Sequence, residues 1–405
     1  MRSVCLLAGL AMVLLPVLAA AQSVQGHEER RGFRLGGFRI QPSIGVGFEY
    51  DSNIFLENID QSESFIFTVK PEVNIVSDWR RHGLRLSLGA EYGLFTNDRD
   101  DSFLDYNAEL AGVLDILRTV RVKGALGYGR GHEARGTDDV AATLLAVEPT
   151  TFDTVSVDLQ GEAVFGRFGV SPFFTMQIRD FDDVSLQTGG TFNNDDRDRR
   201  EIKTGIELSY EVRRGFSAFI RPSYLDVDYD DAVDDSGVNR DGDGFRILAG
   251  MKVDLTRLVE ASMGLGYTSY DYDSAALQDF SGLAMDMRGV WSLTPRLQLT
   301  LNGSRAVTET TVAGASGAVQ LSGEVVAEYD LLRTVVVRTS VGYVDVDFAG
   351  TPRDDVLLSS GLGVDWQLTR DITLAPFYRF KLRNSTAPGL GYRDHRVGLN
   401  ATYRF

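Results

Sequence analysis

Arg396-Val397-Gly398-Leu399-Asn400-Ala401-Thr402-Tyr403-Arg404-Phe405 closes the chain, and its alternation decides the fold. Val397, Leu399, Ala401, Tyr403 and Phe405 are apolar or aromatic, while Arg396, Asn400, Thr402 and Arg404 are polar. Side chains of a strand point alternately to opposite faces, so this is a strand with one greasy and one hydrated face. A soluble protein has little reason to end on an exposed aromatic strand. A strand whose faces meet lipid and water does.

The same pattern recurs upstream. Leu84, Leu86, Leu88, Ala90, Tyr92 and Leu94 oppose Arg85, Ser87, Gly89, Glu91 and Gly93 in the third such segment. Ile202, Ile206, Leu208, Tyr210 and Val212 oppose Lys203, Glu207, Ser209 and Glu211 in the eighth. The seventeenth sets Ile372, Leu374, Pro376, Tyr378, Phe380 and Leu382 against Thr373, Arg379, Lys381 and Arg383. A soluble sandwich alternates too, but here the polar face keeps charge mid-strand, segment after segment. That face suits a water-filled interior. The reading is all-β: a transmembrane antiparallel up-and-down β-barrel of about 18 strands over 38–405.

Connections repeat as well. Short turns carry Arg80, Arg118, Arg167, Arg213, Arg257, Arg296, Arg333 and Arg370. Between them lie longer, Asp- and Asn-rich loops at 51–63, 97–102, 133–150, 183–197, 230–242, 273–279, 309–317, 349–354 and 385–392. Short turns on one side and long loops on the other is the asymmetry of an outer-membrane barrel. Pro42, Pro71, Pro172, Pro222 and Pro376 fall inside the predicted strands on the lipid face, where each removes a ladder donor, so bulges or open pairing are expected there.

At the amino terminus Arg2, the apolar run Val4 to Leu18 and Ala19-Ala20-Ala21 read as a signal peptide over 1–21. Residues 22–37 read as a polar periplasmic lead-in. Cleavage after Ala21 removes Cys5, the only cysteine, which excludes disulfides and thiolate chemistry. A net charge of −16 argues against nucleic acid as a partner. No cofactor is expected, and the address is the outer membrane of a Gram-negative bacterium.

The ending, with Tyr403 and Phe405, resembles the carboxyl-terminal assembly signal of outer-membrane barrels, which implies the barrel-assembly machinery as a partner. Two further motifs carry a family resemblance: Pro42-Ser43-Ile44-Gly45-Val46-Gly47-Phe48-Glu49-Tyr50-Asp51-Ser52-Asn53-Ile54, and Ser77-Asp78-Trp79-Arg80-Arg81-His82. Together they resemble the outer-membrane β-barrel porin family often found with exopolysaccharide gene clusters. The resemblance implies a barrel in contact with outer-membrane lipid and lipopolysaccharide. It also implies, for some members, an exit for secreted polysaccharide beside a periplasmic polysaccharide-export protein.

Alternation assigns Arg85, Glu91, Arg121, Lys123, Arg179, Lys203, Glu207, Arg288, Arg338, Arg379, Lys381, Arg383, Arg396 and Arg404 to the lumen wall. The last two strands contribute five basic residues and little acid beyond Asp394, a basic stripe that could track anionic solutes or acidic sugar polymer. The bland alternative is an ordinary hydrated wall of paired charges. In the acidic stretch Asp226 to Asp243, Asn239, Asp241 and Asp243 mimic the start of a calcium loop, but Gly250 stands where the bidentate Glu belongs, which favours a solvated loop. Of the histidines, His27 lies in the lead-in, His82 in a short turn and His132 at a loop edge; only His395 stands near the outer end of a strand on the lipid face, and no serine follows it at the spacing of outer-membrane phospholipases, so no enzyme is expected. The expected function is a porin passing small hydrophilic solutes. The alternatives are an exopolysaccharide exit port and a structural barrel with a blocked lumen.

Overall fold

The computed structural model describes residues 32–135, 146–235, 237–255, 258–308, 310, 312 and 314–405. The expected signal peptide, Cys5, His27 and the turn residue Arg257 lie outside the described residues. Eighteen long strands follow in order: β1 (Phe38–Asp51), β2 (Ser64–Ser77), β3 (Gly83–Phe95), β4 (Phe103–Leu117), β5 (Val120–Glu133) and β6 (Thr150–Phe165). Next come β7 (Phe168–Phe181), β8 (Arg199–Arg213), β9 (Phe216–Tyr229), β10 (Gly242–Leu255), β11 (Val259–Tyr272) and β12 (Phe280–Thr294). The set ends with β13 (Leu297–Thr308), β14 (Gly317–Leu332), β15 (Val335–Ala349), β16 (Asp354–Gln367), β17 (Ile372–Ser385) and β18 (Tyr392–Arg404).

Each strand pairs antiparallel with its sequence neighbour, and β1 pairs with β18 from Ser43–Arg404 to Asp51–Arg396, so the sheet closes. Closure satisfies every strand edge, the condition for crossing a bilayer with strands. Following the facing pairs once round the ring moves the register about 22 residues along β1. With ordinary strand spacing that shear gives a tilt of about 40° and a backbone diameter of about 34 Å.

The outer face is the apolar one: Val46, Phe67, Leu126, Leu208, Met251, Leu265, Val341, Leu362 and Leu399 are all exposed. Aromatic side chains such as Tyr92, Tyr128, Tyr267, Tyr343, Trp291, Trp366 and Tyr403 are exposed on this face toward the strand ends, where girdles belong.

The five strand prolines open the ladder without shifting it. Pro172 keeps Ile206 opposite, while the β6–β7 ladder skips from Gln160–Phe173 to Ala163–Val170 in unchanged register. Pro71, Pro222 and Pro376 do the same, with gaps on β2–β3, β8–β9 and β16–β17. Pro42 sits just below the point where the β1–β18 ladder begins. Bulges occur elsewhere, beside the tight turns, between Asp115/Leu117, Glu211/Arg213, Ser292/Thr294 and Asp330/Leu332. There an extra residue sharpens the twist into the reversal. Gly215 takes a positive φ of 78° in one of those turns, and Gly166 one of 65° in the β6–β7 turn.

Within the lead-in, Phe33–Leu35 folds back on β1 as a short strand, and Arg34 and Arg39 both reach Asp78 in the first short turn. One expectation needs correction. Arg213 is the last residue of β8 rather than a turn residue.

Candidate functional site, the charged lumen

The motif Tyr50-Asp51-Ser52-Asn53 sits where the ring closes. The Ser52 amide donates to the His395 carbonyl (3.0 Å), and the His395 amide donates to Ser52 Oγ (2.8 Å). Asn53, fully buried, donates from Nδ2 to the Arg393 carbonyl (2.9 Å) and the Glu57 carbonyl (2.8 Å). Its Oδ1 accepts from the Glu57 amide (2.9 Å). A buried amide with its polar atoms partnered is a specific fastener, because any change leaves a desolvated group unpaired. The motif therefore bolts the first strand to the last.

All fourteen wall residues read from alternation share the inward face with neighbours opposite the lipid-facing set. Most are engaged. Lys70 meets Glu91 (2.7 Å), Arg121 meets Asp115 (2.6 Å) and Lys123 meets Glu162 (2.5 Å). Glu207 takes Arg221 (2.7 Å) and Lys252, and Arg221 also reaches Asp286 (3.0 Å). Arg338 bridges Glu328 (2.8 Å) and Asp365 (3.1 Å). Arg404 donates to Thr373 Oγ1 (3.1 Å). Arg85 Nε and Arg246 Nε are buried without a hydrogen-bond partner.

The basic stripe on β17 and β18 is half compensated. Arg396 is held by Asp394 (2.8 Å), Asp51 (2.9 Å) and Glu49 (3.6 Å), and Arg383 donates from Nε to Asp355 (3.0 Å). Among the described residues, Arg379 and Lys381 have no carboxylate within ion-pair distance.

Inward aromatic rings lie flat on the wall rather than crossing the lumen. Phe377 on β17 covers Gly398 of β18 so closely that a methyl there would sit 2.6 Å from its ring. Phe219 covers Gly264 in the same way (3.1 Å), and Phe173 covers Gly205 (2.5 Å). Cations then stack on the rings: Arg379 over Phe377 at 4.3 Å, Arg221 over Phe219 at 5.1 Å. Sequence reasoning missed this device, and it passed over Arg221, whose face also carries the apolar Phe219 and Val227.

Toward the loop end, the inward side chains of β9–β15 become apolar. Val227, Tyr270, Tyr272 and Phe280 form one buried cluster. Ala318, Val346 and Phe348 form another, with Val312 and Ala315 of the preceding loop packed against them. Rim ion pairs hold other loops to the wall. Arg135 donates from Nε to Asp101 (2.8 Å) and stacks on Phe55, while Arg197 donates to both oxygens of Glu133 (2.8 and 2.9 Å). Asp198, just before β8, accepts from the Phe181 amide (2.6 Å). Burial and the nearby Asp180, Asp195 and Asp230 push its carboxyl up to about 6.

The calcium reading does not assemble. Asn239 Oδ1 accepts from the Asp241 amide (2.7 Å), and Asp241 accepts from the Tyr229 amide (2.7 Å). Asp243 lies within β10, opposite Asp226 and Asp271, so the acidic stretch is partly strand. No metal-holding group of His, Cys, Asp and Glu occurs among the described residues. His82 Nδ1 accepts from the Asp115 amide, His132 pairs with Asp105, and His395 meets the Tyr378 hydroxyl.

A closed barrel of eighteen strands, apolar outside and charged within, is an outer-membrane channel-forming architecture. The chain belongs to the family described as "Putative beta-barrel porin 2", which matches residues 28–405. No curated protein matches the chain. Among solved structures it is similar to the outer membrane protein OpdK of Pseudomonas aeruginosa: 12% identity, TM-score 0.48, covering 90% of this chain and 99% of that one. It is also similar to the ferric enterobactin receptor PfeA of Pseudomonas aeruginosa (8%, 0.47, 90% and 80%) and to the copper transporter OprC (11%, 0.49, 93% and 82%).

Proposed function

We propose that this barrel is a passive channel for small hydrophilic solutes, screening them by pore width and wall charge. One observation carries the reading: the inward rings lie on glycines of the neighbouring strand, which keeps them against the wall and leaves the charged side chains beside them facing the interior. A cylinder about 34 Å across at the backbone leaves room for a sugar-sized passage once side chains are subtracted. Specificity would come from the wall charges and from the loops gathered at the acidic rim.

Planar-bilayer conductance of the refolded protein tests this. Steady steps in the nanosiemens range are expected. A correctly folded but silent barrel would overturn the porin reading. It would then favour an exopolysaccharide port that opens only with a periplasmic partner, or a structural barrel.

A further inference from the structure

On the porin reading, we propose that two pairs of cations, with no ion-pair partner among the described residues and on opposite walls, form a waist that binds and passes small anions bearing carboxylate or phosphate. On one wall, β8–β12 presents Lys203, Arg221, Arg246, Lys252 and Arg288 with Glu207 and Asp286 among them, Glu201 held by Arg199, and Glu211, Asp254 and Glu260 nearer the short turns. Glu207 is taken by Arg221 and Lys252, and Asp286 by Arg221. Among the described residues Lys203 has no hydrogen bond or ion pair, and the charges acting on it are Arg246, Asp286 and Arg221. Arg246 spends one guanidinium nitrogen on the Met285 carbonyl (2.9 Å) and leaves Nε buried without a partner.

On the other wall stand Arg379 and Lys381. They sit two residues apart on one face of β17, about 7 Å along the strand, a spacing one oxyanion can bridge. Arg379 faces Arg396 across the strand pair, so a like charge takes the place of a counter-ion. Lys381 faces Asp394 across the same pair, but that carboxylate contacts Arg396, as do Asp51 and Glu49, and none of the three lies within ion-pair distance of Lys381.

Topology makes the two pairs one site. In a ring of eighteen, β8 and β17 stand nine places apart, on opposite walls. Register and tilt together bring Lys203, Arg246, Arg379 and Lys381 to within about 8 Å of one height. Carboxylates occupy the walls between: Glu72, Glu109 and Asp158 on β2–β6, and Glu324, Glu328 and Asp365 on β14–β16. An anion crossing the waist is therefore handed along two basic strips rather than through a uniformly positive ring.

The test is reversal potential under a KCl gradient, with the triple substitution K203E/R379E/K381E and, as control, the turn substitution R118Q. The wild type and R118Q should prefer chloride, and the triple variant should reverse the sign. Inorganic phosphate should reduce the chloride current through the wild type and leave the triple variant unaffected. Potassium preference in the wild type, or an unchanged sign in a folded triple variant, would overturn the proposal while leaving the channel intact. A silent barrel would instead break the porin reading, and phosphorus NMR line broadening of phosphate by the refolded protein in detergent then decides the waist alone. Broadening lost in the triple variant upholds it; broadening equal in both, or absent in both, overturns it.

Discussion

Two shelves inside the barrel are built alike and finished differently. On β9–β11, Phe219 lies on Gly264 with Arg221 and Lys252 stacked above it, and Glu207 and Asp286 neutralise those cations. On β17–β18, Phe377 lies on Gly398 with Arg379 above it, and among the described residues no carboxylate lies within ion-pair distance of that cation. A ring on a glycine flattens the wall in both places, so that half of the design serves shape. The counter-ions make the first shelf a structural brace and leave the second with charge to offer a solute.

The largest break in this comparison should come from Glu207→Gln. It strips the main carboxylate from two cations, both of them also on the Phe219 ring, and should cost about 2–3 kcal/mol in urea unfolding from lipid vesicles. A cost below half a kcal/mol would mean that the lumen water already screens the brace. Next is Gly398→Ala against Gly264→Ala. The first puts a methyl 2.6 Å from the Phe377 ring and 2.7 Å from the Phe48 carbonyl, so about 1–3 kcal/mol is expected together with a smaller conductance as the ring lifts into the lumen. The second meets only yielding contacts at 3.1 Å or more and should cost less. Equal effects would refute the idea that Phe377 sits more tightly on its glycine than Phe219 does.

A smaller effect is expected from Arg379→Ala, below about 1 kcal/mol, since only a cation–π contact is lost. Arg221→Ala should cost more because Glu207 and Asp286 both lose a partner. The order of the two is the readout. The smallest effect belongs to the rim. Asp198 stands at the head of β8 with its folded carboxyl near 6, above the ordinary value of about 4. Between those values the folded loop binds the extra proton, so its stability rises as pH falls through 6. Hydrogen exchange in 182–198 should slow between pH 7 and 5 in the wild type and not in Asp198→Asn. The opposite rim, where Arg353 and Arg383 both hold Asp355, should stay unchanged over that range.

Local alternation carried most of the fold. The strands β3, β8 and β17 read as they stand because the inside–outside rule has period two and needs no partner. The in-strand prolines showed where the ladder would open, since a missing donor is a property of one residue. What alternation lacks is the neighbour across the ladder. The basic stripe looked uncompensated because Asp51 and Glu49, which answer Arg396, belong to β1 at the other end of the chain. They reach it only when the ring closes. The rings on glycines were hidden for the same reason: Phe377 and Gly398 are unremarkable until β17 and β18 lie side by side.

The fastener at Asn53 reaches a carbonyl 340 residues away in sequence, and it has no partial form. A chain lacking β18 is an open sheet with two bare edges rather than a slightly smaller barrel, and Asn53 then has no Arg393 carbonyl to find. Arrival of the last strand therefore completes the ladder and the Asn53 contact in one event, so the join registers whether the whole chain has been delivered.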